Sequence, residues 1–542
     1  MRHAVLCPGS RSAPLALSFM RHGGITCFVI PDERSAAYTA LGISQSKQKP
    51  VALISTSGTA ALNFAPAVAE AYFSNVPLIV FTADRPAEWI GQADNQAVYQ
   101  QNIYGRHVCY YALWPVDLDN EDSAWFALRA LNDALNIAQE GIAGPVHINV
   151  PLREPLYLDN PVEKTSYDFP FFERQVVEER LPQNILDDLS RFKRIMVVAG
   201  TFPPQHALMN ALDELNPRFI FLPDVTSNLH RSPQALEMSD LLPESITEHE
   251  APHFAPDLLI TFGGAVVSKS LRQYLRNCRE LQHWHLSYDT EAVDTFRKLT
   301  KCIPVLPVTF FRDWAAMNYS GDDNFINSWY TRNNLLKRAA MEVLNDLPFS
   351  EPAAANSILR SIKKGVLHLG NSLPVRYVAA FPFLGENVAI YSNRGTSGID
   401  GSVSAAAGHS MTSDLLNVLI LGDLSFFYDR NGLWNNYLKS NFKIIVFNNH
   451  GGGIFRQLPG SASQPELEEY FAIRQPLNVR HTALQHNCSY IFCNSSETLV
   501  KSIEELLSDD NAPGILELDF SGNTTIAEVK KLVLERAGLG ST

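Results

Sequence analysis

Short apolar runs alternate along this chain with longer stretches of helical period. Near the N-terminus, HAVLCPGSRS reads as a strand entering a loop, and CFVIPDERSAAYTALGISQS as strand, turn and helix. PVALISTSGTAALNFAPAVAEAYFSNVPLIVFTADRP reads as strand, loop, helix, strand and loop. Strands followed by helices at this spacing predict βαβ units and a parallel sheet. Ligands of such sheets sit at the carboxyl ends of the strands, where CPGSRS, PDERS, STSGT and TADRP all fall.

The pattern breaks after PVHINVPLREPLYLDNP. The segment Glu163–Gln175 has neither helical nor strand period and reads as a linker. RIMVVAGTFPP and PDLLITFGGAVVSKSLRQYLR resume the strand–loop–helix rhythm, and VAIYSNRG, NVLILGD, KIIVFNN and GILELDF carry it to the C-terminal end. The expected fold is α/β, three doubly wound parallel-sheet domains over 1–165, 176–345 and 352–542. No tandem repeat or low-complexity tract interrupts them.

Composition narrows the class. Hydrophobic content of 46% and charged content of 19% over 542 residues are those of an ordinary globular protein. No apolar run approaches the roughly 18 residues of a membrane span, and Arg2, His3, Cys7 and Pro8 interrupt any signal-peptide core. The seven cysteines are scattered and form no CxxC, which fits reduced thiols in a cytoplasm rather than a disulfide framework or structural zinc. A net charge of −13 argues against nucleic acid as a partner. Anionic substrates then require arginines concentrated locally.

The stretch VFNNHGGGIF, Val446 to Phe455, ends a strand pattern in amides and three glycines. Alone, it reads first as a turn, since Asn and Gly are the usual turn formers. Upstream, NVLILGD ends at Gly422-Asp423, and Asp423 and Asn449 are 26 residues apart, the length of one strand–helix–strand crossover. Neighbouring strands would deliver a carboxylate and a carboxamide to one spot. Such hard oxygen donors suit Mg²⁺ or Ca²⁺, with a phosphate completing the shell. The alternative for Asp423 is a helix cap.

GD…NN at this distance resembles the thiamine diphosphate signature. The third position, usually Gly, is Leu424. CPGSRSAPL, DERSAAYTALG, TSGTAALN, TADRP, NQAVYQQ, SNRGTSGIDG, GDL and NNHGGGIF lie in the order found in the 2-succinyl-5-enolpyruvyl-6-hydroxy-3-cyclohexene-1-carboxylate synthase family, where GDL is usual. The resemblance is dense over the first and third domains and weak over the second. Family members usually carry a helix before the first strand, and this chain starts almost at that strand.

The resemblance implies a thiamine diphosphate-dependent carboligase of menaquinone biosynthesis. It would decarboxylate 2-oxoglutarate and add the succinyl carbanion to isochorismate, with Mg²⁺ or Mn²⁺, as a homodimer or homotetramer with shared active sites. Glu33 is implied to bond the cofactor's aminopyrimidine. From residues alone, Asp32-Glu33 reads equally as a solvated helix start. Asp423, Asn449 and the backbone oxygen of Gly451 are the implied metal ligands, flanked by Gly422 and Leu424. Ser397, Gly398 and Ile399 would contact the cofactor. Ile399 would prop it in a bent form, its alternative being an ordinary core isoleucine. Ser10, Arg11, Arg85, Gln96, Arg376 and Arg394 are implied substrate contacts, with Asn95 beside Gln96. A guanidinium binds carboxylates bidentately, so four arginines at motif positions suit multiply anionic substrates. Ile454 and Phe455 would form an apolar wall, and Lys269 would add a charge.

His283 and His285, alternating in HWHLS, are expected to share one strand face near the surface without binding metal. The absence of adjacent histidines favours carboligation over simple decarboxylation. The competing readings are another 2-oxo acid decarboxylase or an acetohydroxyacid synthase-like enzyme, and a cofactor-binding protein without catalysis. The paired arginines argue against a pyruvate enzyme, and Glu33 argues against lost catalysis.

Overall fold

A computed structural model gives the fold and describes residues 1–157, 171–172, 180–215, 218–288, 292–381, 385, 387–520 and 524–539. Most of the expected linker Glu163–Gln175, and the boundaries at 165 and 176, lie outside the described residues.

The first sheet holds β1 (His3–Leu6), β2 (Thr26–Val29), β3 (Val51–Ser55), β4 (Leu78–Asp84), β5 (Tyr110–Leu113) and β6 (Val146–Pro151). The second holds β7 (Ile195–Ala199), β8 (Ile220–Pro223), β9 (Leu258–Phe262), β10 (Gln282–Leu286) and β11 (Leu299–Ile303). The third holds β12 (Lys364–Leu369), β13 (Asn387–Tyr391), β14 (Asn417–Gly422), β15 (Phe442–Asn448), β16 (Ser489–Cys493) and β17 (Gly514–Asp519). Every pairing is parallel. Buried β3 and β4 are almost wholly apolar, as strands covered on both faces must be.

The first and third sheets share one topology. Their orders are β2-β1-β3-β4-β6-β5 and β13-β12-β14-β15-β17-β16, whereas the middle sheet runs β11-β10-β9-β7-β8. The order reverses between β1 and β3 and between β12 and β14. Those reversals are where a doubly wound sheet opens a crevice for ligands.

The expected single helix after β3 is broken at Phe64 into Thr59–Asn63 and Ala65–Phe73, because Pro66 cannot continue the first segment's hydrogen bonding. The helix Glu33–Lys47 packs on the helix Ser402–Thr412 of the third unit, with backbones nearly touching. A Cβ on Gly42 would lie 1.9 Å from the Ala405 carbonyl oxygen, and one on Gly408 2.2 Å from that of Thr39. One hydrophobic core therefore runs through both units, joining Val5, Leu53 and Leu78 to Val403, Leu419 and Val446. The middle unit grips the edge strand β13. Asn228 accepts from the Ile390 amide at 2.7 Å and donates to its carbonyl at 2.9 Å.

His283 and His285 do share one face of β10, but that face is buried, not near the surface. They are 1% and 7% exposed, and both rings bond the Thr261 hydroxyl, at 2.7 and 2.8 Å. Phe296 packs edge-on against His283 at 5.4 Å between ring centres, and burial drives the His283 pKa down to about 4.

Candidate active site

The strand ends β14 and β15 are adjacent, with Gly422 opposite Phe447. Asp423 follows β14 as the first residue of the helix Asp423–Asp429 and is 1% exposed. Its carboxylate accepts from the Gly451 amide at 2.8 Å and from the Gln475 side-chain amide at 2.6 Å. Burial raises its pKa despite these bonds.

Asn449 follows β15. Its amide nitrogen donates to Glu351 at 2.8 Å, whereas its amide oxygen is buried with no hydrogen-bond partner. A buried acceptor without a donor is costly and asks for a positive ligand. Gly451 adopts φ +147°, and a Cβ there would lie 2.6 Å from the Ala472 carbonyl, so only glycine fits. Its carbonyl accepts from the Gly453 amide at 3.0 Å, leaving one lone pair for a further partner.

These donors fit a hard divalent cation: one carboxylate, one orphaned amide oxygen and one backbone carbonyl, all on oxygen. Among the described residues no group of three His, Cys, Asp or Glu is placed to hold a metal ion.

Glu351, Gln475 and Arg456 are the neighbours that motif reading passes over. Glu351 is the first residue of the helix Glu351–Ser361, and its second oxygen accepts from the Tyr377 hydroxyl at 2.9 Å. Burial raises its pKa, and the Asp423 charge adds to the rise. Arg456 is held by Glu468 through two bonds of 2.8 Å and reaches the Asn449 carbonyl at 3.4 Å.

The loop after β13 carries Arg394, Ser397, Gly398 and Ile399. It is pinned from the first unit by buried Glu70, which accepts from the amides of Gly395 and Thr396 at 2.8 and 2.6 Å. Ser397 adopts φ +61°. The Ile399 carbonyl accepts from the Ser425 hydroxyl at 2.7 Å, while its side chain is 39% exposed and so is no core isoleucine. Asn371 knits this loop, donating to the carbonyls of Asn393 and Gly398 at 2.8 and 2.6 Å and accepting from Arg394 at 2.8 Å.

Arg376 donates to the Ser372 carbonyl from the helix Leu373–Ala380. Arg376, Arg394 and Arg272 lie close enough to repel one another. Burial lowers the pKa of each, and like charge adds to it, with Asp224 and Asp240 opposing. Arg272 comes from the middle unit's helix Lys269–Asn277, where Lys269 is exposed in the first turn. Its sequence signal is weak, being one basic residue three positions past Lys269 on a basic helix.

Arg11 and Arg85 gather at the carboxyl end of the first sheet. Arg11 donates to the Leu152 carbonyl and to Glu154, both at 3.0 Å. Arg85 pairs with Asp94 and donates to the Ser57 hydroxyl at 2.8 Å and the Gln96 carbonyl at 3.2 Å. Asp94 is held below the usual carboxylate range by its bond to Arg85. Ser10, Asn95 and Gln96 are exposed beside them, Gln96 at φ +53°. Glu33 stands half-buried at the start of its helix, near Cys7 at the end of β1. Burial raises the Cys7 thiol pKa, with the charges of Glu33 and Asp32 adding to it. Asp32 caps the helix and accepts from Asn431 at 2.7 Å. Ile454 and Phe455 are half-buried in a tight turn, with Phe455 against Phe471 at 6.1 Å between ring centres.

The chain matches three family models. They are the thiamine pyrophosphate enzyme N-terminal TPP binding domain over 1–104, the middle domain of thiamine pyrophosphate over 165–367, and the C-terminal TPP binding domain over 376–518. It is similar to 2-succinyl-5-enolpyruvyl-6-hydroxy-3-cyclohexene-1-carboxylate synthases of several bacteria. Identity is 36% to that of Cytophaga hutchinsonii, over 99% of this chain and 96% of the relative. It is 38% to that of Christiangramia forsetii, over 96% and 93%. It is 37% to that of Porphyromonas gingivalis, over 96% and 92%.

Proposed function

The chain belongs to the 2-succinyl-5-enolpyruvyl-6-hydroxy-3-cyclohexene-1-carboxylate synthase family of thiamine diphosphate enzymes, and on that premise we propose that it joins 2-oxoglutarate to isochorismate with loss of carbon dioxide. The observation that carries this is the buried, partnerless amide oxygen of Asn449 beside Asp423 at neighbouring strand ends.

Asp423, the Asn449 oxygen and the Gly451 carbonyl would hold Mg²⁺ or Mn²⁺, and through it the cofactor's diphosphate. Gly422, Leu424, Ser397, Gly398 and Ile399 would line the rest of the cofactor, with Ile454 and Phe455 as an apolar wall. Thiamine diphosphate, when bound, supplies a carbon nucleophile and an electron sink for decarboxylation. Glu33 would hold a proton at the aminopyrimidine ring nitrogen, favouring the tautomer that can act as a base. Ser10, Arg11, Arg85, Gln96, Arg376 and Arg394 would bind and orient the substrates, the arginines holding carboxylates in forks. The exposed Lys269 would contribute a weaker, long-range charge.

Glu33 and Asp423 belong to separate units, and the reading includes a homodimer, or a pair of dimers, whose sites are shared between chains. Exposed apolar residues around both halves support it, including Trp89 and Tyr99 near Arg85 and Tyr428 and Trp434 near the Asp423 helix. Units of 1–165, 176–345 and 352–542 remain the proposed division. Seven cysteines without a disulfide support a reducing, cytoplasmic setting. Among the described residues no helix is long and apolar enough to cross a membrane.

Donor choice tests the reading. With cofactor, Mg²⁺ and isochorismate present, 2-oxoglutarate should release carbon dioxide and pyruvate should not. Equal or greater release from pyruvate would favour an acetohydroxyacid synthase-like enzyme instead.

A further inference from the structure

Asn449 presents a problem that its own sequence position does not solve. A carboxamide can turn over about its last bond, and only one of its two ends can serve a cation. Something must hold the oxygen inward.

Glu351 is the group placed to do so. It lies 98 positions away, at the start of another helix, and its Oε1 accepts from Asn449 Nδ2 at 2.8 Å. A carboxylate accepts only, so it selects the amide's NH₂ end and turns the oxygen away from itself. That oxygen is the buried one without a partner. Glu351 is fixed in turn, since its Oε2 accepts from the Tyr377 hydroxyl at 2.9 Å. Tyr377, on the helix Leu373–Ala380, is itself buried in the core.

Charge points the same way. Of the three cation donors only Asp423 is anionic. Glu351 brings a second carboxyl group within one side chain of the site, through its bond to Asn449. Arg456 reaches the same neighbourhood, but Glu468 holds its guanidinium.

We propose that Glu351 is a positioning residue for the divalent cation, setting the Asn449 amide with its oxygen toward the metal and adding a negative charge behind it. Outer-shell partners of this kind typically govern metal affinity by about 10–100-fold. The inference rests on the proposed cofactor site, so its test must separate the two.

The measurement is the Mg²⁺ dissociation constant by calorimetry, at saturating thiamine diphosphate, on the full chain. Glu351→Ala should weaken Mg²⁺ binding by about 10–100-fold. Glu351→Gln should weaken it less, because a glutamine oxygen can still accept from Asn449 while Tyr377 accepts from its NH₂. A double-mutant cycle gives the sharper result. In an Asn449→Asp background the Glu351 carboxylate faces another carboxylate, and Glu351→Gln replaces that repulsion with a hydrogen bond. Glu351→Gln should therefore strengthen Mg²⁺ binding there, reversing its sign. A residue that merely stabilises its helix would shift both backgrounds alike, and that result overturns the proposal. Unchanged affinity in Glu351→Ala also overturns it, provided Asp423→Ala has lost Mg²⁺-dependent binding. If Asp423→Ala has not lost it, the cation site itself is elsewhere and both readings fall.

Discussion

Glu70 and Thr396 bind the first and third units together at one carboxylate. Glu70, fully buried, accepts from the Thr396 amide at 2.6 Å and from its hydroxyl at 2.7 Å. The same side chain takes the Gly395 amide and the Ser74 hydroxyl. The loop so held carries Arg394, Ser397 and Ile399. Glu70→Ala leaves two backbone amides without an acceptor, a cost of about 3 kcal/mol or more. The thermal midpoint of the ligand-free chain should fall by several degrees, and protease should cut within 392–400 sooner. An unchanged midpoint and cleavage pattern would mean that the loop stands without Glu70.

Glu33 should separate chemistry from binding. Glu33→Gln removes the carboxyl but leaves the Asp423–Asn449 site intact, so turnover should drop by several orders of magnitude while cofactor stays bound. Mixed with Asp423→Ala under subunit exchange, it should regain partial activity, because a shared-site dimer then holds one site with neither defect. Near-normal turnover of the single variant, or no recovery after confirmed exchange, would contradict these roles.

The arginines divide by location. Arg376 and Arg394 neighbour the loop after β13, whereas Arg11 and Arg85 stand over the first sheet. Alanine at Arg376 or Arg394 should raise the KM for 2-oxoglutarate, and alanine at Arg11 or Arg85 that for isochorismate. Each effect should be roughly tenfold to hundredfold, the value of one charge-assisted hydrogen bond. Equal losses toward both substrates in all four variants would reject the division.

Asp429 links stability to pH. Burial pushes it up to about 7, although it accepts from the Ser404 amide at 2.7 Å and hydroxyl at 3.0 Å. Its folded pKa lies above the unfolded value of 3.8, so the folded chain holds a proton that the unfolded chain releases. Its contribution to stability is therefore full below 3.8 and falls as pH rises, until it levels off above about 7. Asp429→Asn should flatten this slope by an amount on the order of 4 kcal/mol across the window. Chemical denaturation of wild type and variant from pH 4 to 8 reads the difference. A constant gap between the two would show that Asp429 does not titrate there.

Sequence pattern reached the fold where strands are continuous apolar runs, as in β3, β4, β14 and β15. It did not single out β12 or β16. Lys363, Lys364 and His368 break the apolar signal of β12, although it is paired on both sides, with His368 bonded to Asn417 at 3.0 Å. β16 is an edge strand with only part of its surface buried, so SYIFC has little to mark it. At the site, Asp423 and Asn449 were legible because consecutive strand ends place chemistry at a fixed spacing. Glu351 and Gln475 were not, since they reach the same atoms from 98 and 52 positions away. At a helix start Glu351 looks like any acid favouring the dipole. The burial of His283 and His285 depends on Thr261 and Phe296, which come from outside their own strand and which periodicity does not bring to them.

The most direct measurement of the proposed reaction follows carbon. The purified chain is incubated with isochorismate, thiamine diphosphate, Mg²⁺ and 2-oxoglutarate carrying isotope either at its first carboxyl carbon or at the remaining four carbons. The product is read by mass spectrometry. Label at the four carbons should appear in a single adduct with isochorismate, label at the carboxyl next to the keto group should leave as carbon dioxide, and neither should happen without the cofactor. Carbon dioxide release without an adduct, an adduct that keeps the carboxyl label, or formation independent of thiamine diphosphate would contradict the assignment.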